Sequence, residues 1–328
     1  MQNRWIGLDI GGTKCAAVLA ETGGGVRILE RFCVETGAFA PTFERLCCEI
    51  EAMLLRHETP LARVRAIGVS CGGPLDSRRG VILCPPNLPG WTNVPITRLL
   101  RERFGVPAHL QNDANACALV EWKLGAGRGT NDMVFLTMGT GMGAGVIAEG
   151  RLLRGHADMA GEVGHVRLTE DGPVGYGKRG SFEGWTSGGG IARQAVERTR
   201  ALSARGTPPQ WTRDGAREDE LSAKLLATYA LRGDPDALAL FDRVGTMLGR
   251  GVALLADLLN PECVVIGSIF TRCEALLRPA MERALAEEAL AFTRGGLRVV
   301  PAQTGEAIGD LASVMAALYA ENVEPQEG

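Results

Sequence analysis

The sequence predicts an α/β protein of two lobes, each built on a mixed β-sheet, with a crevice between them. Three observations predict it. At 328 residues, 45% hydrophobic and 22% charged, the chain can fill two cores. Short apolar runs that read as buried strands alternate with amphipathic helical stretches. A strand, glycine turn, strand unit at residues 10–20 (IGGTKCAAVLA) returns at 138–148 (MGTGMGAGVIA), an offset of 128 residues. Gly11 then falls on Gly139, Ala16 on Ala144, Val18 on Val146 and Ala20 on Ala148. Two copies of one unit, each opening a strand-and-helix region, point to a duplicated fold with facing halves.

The elements follow in order. Trp5 to Asp9 and Cys15 to Ala20 read as strands around the first glycine turn, and Val26 to Val34 as a third. Thr42 is the expected N-cap of a helix through about Arg56, with Leu46, Ile50, Met53 and Leu54 on one face. Val64 to Ser70 is continuously apolar, as a strand buried on both faces would be. Cys71-Gly72-Gly73-Pro74 ends it. Val94 to Phe104 reads as a helix, Ala108 to Gln111 as a strand delivering Asn112 and Asp113, and Ala114 to Trp122 as the next helix. In the second half come strands Asp132 to Met138 and Ala144 to Ala148, then an exposed loop Thr199 to Ala216. Helices are expected over Glu218 to Leu231 and Pro235 to Leu259, a strand over Cys263 to Ile266, and a last amphipathic helix over Ala307 to Tyr319. The tail from Glu321 is expected to fray.

Charge and composition exclude several functions. A net charge of −3 with scattered basic residues gives no general attraction to nucleic acid. No apolar run reaches the roughly 18 residues of a membrane span, and the N-terminus lacks the basic start and apolar core of a signal peptide. A cytoplasmic protein is the expectation. Nine cysteines, an odd number without a C-x-x-C pair, read as small buried hydrophobes. The 44 glycines cluster locally.

Those clusters suggest the chemistry. In Asp9-Ile10-Gly11-Gly12-Thr13-Lys14, glycines let a ligand approach the main chain, and successive N–H groups can converge on an anion. Asp9 at the strand end could hold Mg²⁺, and Thr13 could donate to a phosphate oxygen. A plain hairpin is the alternative for a lone Gly-Gly. The second turn, Gly139-Thr140-Gly141-Met142-Gly143, is nearly free of side chains, which suits a phosphate cradle better than a packed core. It is neither a P-loop nor a dinucleotide fingerprint, because a strand follows it where those need a helix. Asp113 in Asn112-Asp113-Ala114-Asn115 is either a helix cap or a general base taking a proton from a hydroxyl that attacks phosphorus.

Together these motifs resemble the ROK family, named for repressors, open reading frames and sugar kinases. The resemblance runs from Ile6 to about Leu318 and includes Gly72-Gly73-Pro74, Pro86-Asn87-Leu88-Pro89-Gly90-Trp91, Gly161-Glu162-Val163-Gly164-His165, and Asn260-Pro261 with Ile266-Gly267-Ser268. It implies a two-lobed actin-like ATPase (ribonuclease H-like) fold. Residues 1–114 would form the small lobe, completed by a C-terminal helix within 307–328, and 115–306 the large lobe. It also implies ATP-dependent phosphorylation of a hexose, probed first at O6, with Mg²⁺ near Asp9. Asp113 would be the base. Gly73, Asn87, Asn112, Glu162, His165 and Glu183 would contact sugar. Asp9, Gly11, Gly12, Thr13, Lys14, Thr140, Gly141, Gly267 and Ser268 would bind ATP. Family members are commonly homodimers or homotetramers.

One departure stands out. The family's zinc-binding stretch, C-x-C-G-x-x-G-C-x-E, keeps Gly177, Gly180 and Glu183 here, but Val174, Tyr176 and Ser181 replace the cysteines. One His cannot make a tetrahedral site, so no structural zinc is expected, and Tyr176 is a candidate to orient His165. A sugar-binding protein without catalysis is the second reading. A DNA-binding repressor is the third, and the early position of Asp9 leaves no room for the helix-turn-helix such members carry. The resemblance implies glucose as the default substrate, with N-acetylmannosamine, N-acetylglucosamine, allose and fructose as rivals.

Overall fold

The computed structural model describes residues 3–23 and 25–322. The first sheet comprises β1 (Asn3–Ile10), β2 (Lys14–Thr22), β3 (Val26–Glu35), β4 (Val64–Cys71) and β5 (Ala108–Asn112). The second comprises β6 (Met133–Met138), β7 (Met142–Ala148), β8 (Arg151–Leu152), β9 (Cys263–Ile266) and β10 (Arg298–Pro301). Their spatial orders are β3-β2-β1-β4-β5 and β8-β7-β6-β9-β10. In each, the first three strands are antiparallel and the last two run parallel to the first. The predicted duplication is therefore a repeat of one five-stranded topology, in the same order.

The repeat in sequence needs one correction. Ile10 pairs with Cys15 across the first turn, whereas Met138 pairs with Met142 across the second. The first turn is one residue longer. The offset of 128 is right for the outgoing strands and one residue out for the return strands, where Ala16 corresponds to Gly143 rather than Ala144. Matching alanines had hidden the slip.

Two helices join the halves. The helix α3 (Asp113–Lys123) runs directly from β5, and α9 (Ile308–Ala320) follows β10. One apolar cluster contains residues of both sheets (Trp5, Ala66, Phe135, Val265) together with Leu119 of α3 and Val314 of α9. The helix α9 lies so close to the first sheet that a Cβ on Gly68 would sit 1.9 Å from the Ser313 carbonyl oxygen and one on Gly7 2.1 Å from its hydroxyl. Only glycine allows that approach, so the join is specified by two residues without side chains. His109 Nε2 and Glu321 Oε1 lie 2.7 Å apart, so the predicted fraying does not begin at Glu321; residues 323–328 lie outside the described residues.

Separate cores complete each half. The first sheet packs on α1 (Phe39–Arg56) and α2 (Ile96–Phe104). The second packs on α5 (Gly188–Ser203), α6 (Ala223–Leu231), α7 (Pro235–Leu259) and α8 (Ile269–Glu288). Thr42 is not the N-cap of α1. That helix begins at Phe39, which packs edge-on against the Trp91 ring at 5.1 Å, and Thr42 Oγ1 accepts the Gly37 amide from inside the first turn. The stretch 199–216 is not all loop: α5 continues to Ser203, a turn of helix covers Gln210–Arg213, and Trp211 is fully buried with its indole N–H on Thr199 Oγ1. The helix expected from Glu218 starts at Ala223, where Ser222 caps it. Five cysteines are buried as expected, but Cys48 and Cys84 are exposed. Among the described residues no helix is long and apolar enough to cross a membrane.

Candidate active site

The two glycine turns have the same hydrogen-bond logic. In the first, the Gly11 amide donates to the Lys14 carbonyl at 3.1 Å; in the second, the Gly139 amide donates to the Gly141 carbonyl at 3.1 Å. Carbonyls are braced from outside. Thr36 donates its amide to Thr13 and its hydroxyl to Gly11, while Gly188 and Gly189, at the start of α5, donate to Gly139 and Thr140. Among the described residues the amides of Gly12, Thr13, Thr140 and Gly141 have no acceptor. Each turn therefore has its carbonyl side tied down and two donors left over, the arrangement of an anion cradle. Neither Gly12 nor Gly141 has room for a side chain. A Cβ on Gly12 would lie 2.7 Å from the Asn87 carbonyl oxygen, and one on Gly141 2.9 Å from Glu183 Oε2.

Asp113 sits at the β5–α3 junction because Asn112, not Asp113, caps the helix. Asn112 Oδ1 accepts from the amides of Ala114 and Asn115, and Asp113 is the first helical residue, its Oδ1 accepting the Ala114 amide at 2.8 Å. Its other oxygen, Oδ2, is 3.8 Å from where a Gly72 Cβ would be, a point also 3.6 Å from Asn87 Nδ2. Asn112 Nδ2 lies as near Gly73, at 3.5 Å from its Cβ position. Gly72, Gly73, Asn87, Asn112 and Asp113 thus converge. Asp113 keeps contact with solvent although protein atoms crowd around its carboxyl. That enclosure raises its carboxyl above the ordinary range, against the opposing Ala114 hydrogen bond.

Asp9 is perturbed as well. Burial, then the negative charges of Asp113 and Asp310, push its carboxyl up to about 7, and Arg31 only partly offsets them. Arg31 is itself engaged, with Nε 2.8 Å from Asp310. The first turn of α9 abuts Asp9, whose Oδ2 is 3.0 Å from a Gly309 Cβ position. Sequence reasoning missed Asp310, Gly309 and Arg31; the acidic first turn of α9 was their only signal.

The remaining expected residues come from the second half. Glu162 precedes a short 3-10 turn, Val163–His165. Desolvation and then the charge of Asp113 raise its carboxyl, His165 opposes, and Glu183 adds to the rise, so these four groups share one field. Glu183 has one oxygen engaged already: Oε2 accepts the Met142 amide at 3.1 Å, tying it to the second turn. Gly267 donates its amide to Leu136, and Ser268 Oγ reaches to 3.9 Å of the Gly139 Cβ position. Lys14 and Thr13 are exposed at the first turn.

The stretch that departs from the family is well ordered by other means. Val174–Gly175 and Lys178–Arg179 form a two-residue hairpin whose corner is Tyr176-Gly177, both at positive φ. Tyr176 meets His165 edge to face at 6.3 Å, and Lys178 Nζ donates to the His165 carbonyl at 2.8 Å. Ser181 is fully buried, its hydroxyl accepting the Gly184 amide as N-cap of the short helix α4 (Phe182–Thr186). A thiolate position has become a helix cap. Among the described residues no cluster of three His, Cys, Asp or Glu side chains is arranged to hold a metal.

A buried carboxylate steadies the helix that carries Asp113. Glu121, fully buried near the end of α3, accepts the amides of Ala126, Gln303 and Thr304 and the Thr304 hydroxyl. It fastens α3 to the segment that enters α9.

The model of the ROK family matches residues 5–319. The chain belongs to the ROK family. It is 32% identical over 263 residues to a glucokinase of Streptomyces coelicolor, covering 80% of each chain. It is 31% identical over 288 residues to an N-acetylmannosamine kinase of Shigella boydii, covering 88% of this chain and 90% of that one. Among solved structures, a ROK family glucokinase of Streptomyces griseus in complex with glucose and AMPPNP superposes with a TM-score of 0.74 at 31% identity, over 96% of this chain and 98% of that one. The two-lobed fold is thus that of ROK kinases.

Proposed function

We propose that this chain is an ATP-dependent hexose kinase. The observation that carries the reading is the convergence of Asp113 with Gly72, Gly73 and Asn87, beside two turns whose free amides match a chain of phosphates. The kinase relatives, similar over most of both chains, support the same reading.

The chemistry follows from the residues. Asn87, Asn112, Glu162, His165 and Glu183 fix the sugar by hydrogen bonds, which reject analogues lacking the matching hydroxyl. Asn112 and Glu183 each contribute a reduced share, since one oxygen of each is already committed. Asp113 accepts the proton of the attacking hydroxyl, assigned to O6. A new O–P bond forms as the γ-phosphorus parts from the bridging oxygen, and ADP leaves. The raised carboxyl makes Asp113 a stronger base than an ordinary aspartate. The amides of Gly12, Thr13, Thr140 and Gly141 hold phosphate oxygens, with Gly267 and Ser268 on the nucleoside side. The uncompensated negative field at Asp9 fits a divalent cation, and Mg²⁺ held there would neutralise phosphate charge.

A catalytically silent sugar binder lacks a reason to keep Asp113 beside two open cradles. Glucose and N-acetylmannosamine are the leading substrates, and the cytoplasm and a homo-oligomer the proposed setting. A coupled ADP-release assay over a hexose panel, with and without Mg²⁺ and with Asp113→Asn as control, tests the proposal. Sugar-dependent ADP release lost in the variant supports it; none with any hexose sinks it.

A further inference from the structure

Among the described residues, every hydrogen bond running directly between residues 3–112 and residues 133–303 ends on Ser77. Asp158 Oδ2 accepts the Ser77 amide at 2.7 Å, Asp158 Oδ1 accepts the Ser77 hydroxyl at 2.8 Å, and Arg154 Nη1 lies 3.5 Å from that hydroxyl. Among the described residues, the other hydrogen bonds that join the halves run through α3, α9 and the segments beside them.

The two ends of this contact are built differently. Ser77 lies just beyond Gly73-Pro74, in a tight hairpin formed by Leu75–Asp76 and Val81–Ile82. Asp158 is near the middle of a loop bounded by Gly155 and Gly161, both at positive φ. The loop's far end is fixed, because Ala144 O occupies the place of a Gly161 Cβ at 2.1 Å. His156, Ala157 and Met159 are exposed, while Asp158 turns inward at φ +56°, a conformation unfavourable for a residue with a Cβ. The inward turn and the two-pronged contact require each other.

We infer that Asp158 and Ser77 form a latch between the lobes that sets the separation of the two walls of the sugar site. The inference rests on the sugar-site reading above. Gly161 leads directly into Glu162 and His165, and Ser77 is four residues from Gly73, so the latch links one wall to the other. Lobes joined by two helices can rock about them, and one residue pair is few enough contacts to break and re-form on opening. Losing the latch lowers the closed population, and apparent sugar affinity falls by the same fraction. The phosphate turns, braced within their own halves by Thr36 and by Gly188 and Gly189, are untouched. Asp158 and Ser77 are positioning residues.

The test compares Asp158→Asn, Ser77→Ala and the double variant. In the ligand-free protein, hydrogen exchange at the amide of residue 77 should quicken by about 10-fold or more in Asp158→Asn, as expected on losing a charged hydrogen bond. With sugar and ATP, the KM for sugar should rise about 10-fold, with kcat and the KM for ATP changing less than about threefold. The double variant should lose less than the sum of the two single ones, because both act on one shared contact. Unchanged exchange in Asp158→Asn overturns the latch whatever the protein phosphorylates. Faster exchange with an unaltered sugar KM, or equal losses in the sugar and ATP constants, overturns its role in seating sugar. If wild-type protein phosphorylates no hexose, the functional reading fails and the latch stands or falls on exchange alone. Should Asp158→Asn fail to fold, Ser77→Ala, which removes one half-buried hydroxyl, carries the same kinetic test.

Discussion

The two halves of this protein have one topology and one turn chemistry, but opposite electrostatics. At the offset of the outgoing strands, Asp9 of the first half corresponds to Thr137 of the second. The first turn is set among Asp9, Asp113 and Asp310, whose mutual repulsion is relieved only in part by Arg31. The second has one carboxylate, Glu183, and it is already bound to the turn's own Met142 amide. If both turns grip phosphate as proposed, the halves contribute alike to that grip, and only the first adds the acidic field that would suit a cation. A γ-phosphate is attacked on one side only, so a symmetric pair of acid-rich turns would add repulsion where it brings no catalysis.

The comparison predicts effects of graded size. The largest belongs to the base of the first half: Asp113→Asn should lower kcat by about 10²–10⁴, with sugar binding by calorimetry kept. Full turnover in that variant would remove the acid-rich half from the chemistry. The turns come next. Gly12→Ala places a methyl against main chain at Asn87, whereas Gly141→Ala meets only the end of the Glu183 side chain. The first should raise the KM for ATP by about 10-fold or more and the second by about threefold, a ratio set by whether the neighbour can yield. Equal losses would mean that the two grips are braced alike.

A third prediction concerns pH. A carboxyl raised to about 7 in the folded state stabilises the fold at pH below its unfolded value near 4, and that stability is lost as pH rises toward and through 7. Asp9→Asn should therefore lift the melting temperature of the ligand-free protein most at pH 8, by a few degrees, and hardly at all at pH 4. The same protonation should weaken Mg²⁺ activation as pH falls from 8 to 6. A pH-independent difference would show that Asp9 titrates normally. The smallest effect is expected far from the duplication: Tyr176→Gly, which removes a positive-φ side chain, should stabilise by up to about 1 kcal/mol, measured by denaturant unfolding, while disturbing His165.

Much of this was legible in the residues. Apolar strands and glycine turns fixed both sheets' central strands, and Pro235–Leu259 was readable end to end because Asp234 and the proline start it and Asn260 stops it. The helix α5 escaped notice although Ser187-Gly188-Gly189-Gly190 holds its cap, because three glycines look like a loop until their amides have carbonyls to meet. The edge strand β10 is hard to read because none of its four positions is fully buried, so it lacks the apolar run of a core strand. In the site, motif residues were found by type, but their partners were not. Nothing local joins Asp9 to Asp310, or Ser77 to Asp158; such pairings exist only once the chain is folded.

The carboxylate of Glu121 has a mechanical consequence. Its helix spans 11 residues, about 16 Å at 1.5 Å per residue, with Asp113, the proposed proton acceptor, at one tip and this anchor near the other. Over that lever arm a tilt of roughly 4° would displace the acceptor by about 1 Å, an error that can slow an enzyme about a hundredfold. The aim of the reaction is therefore guarded at the end of the rod that never touches substrate.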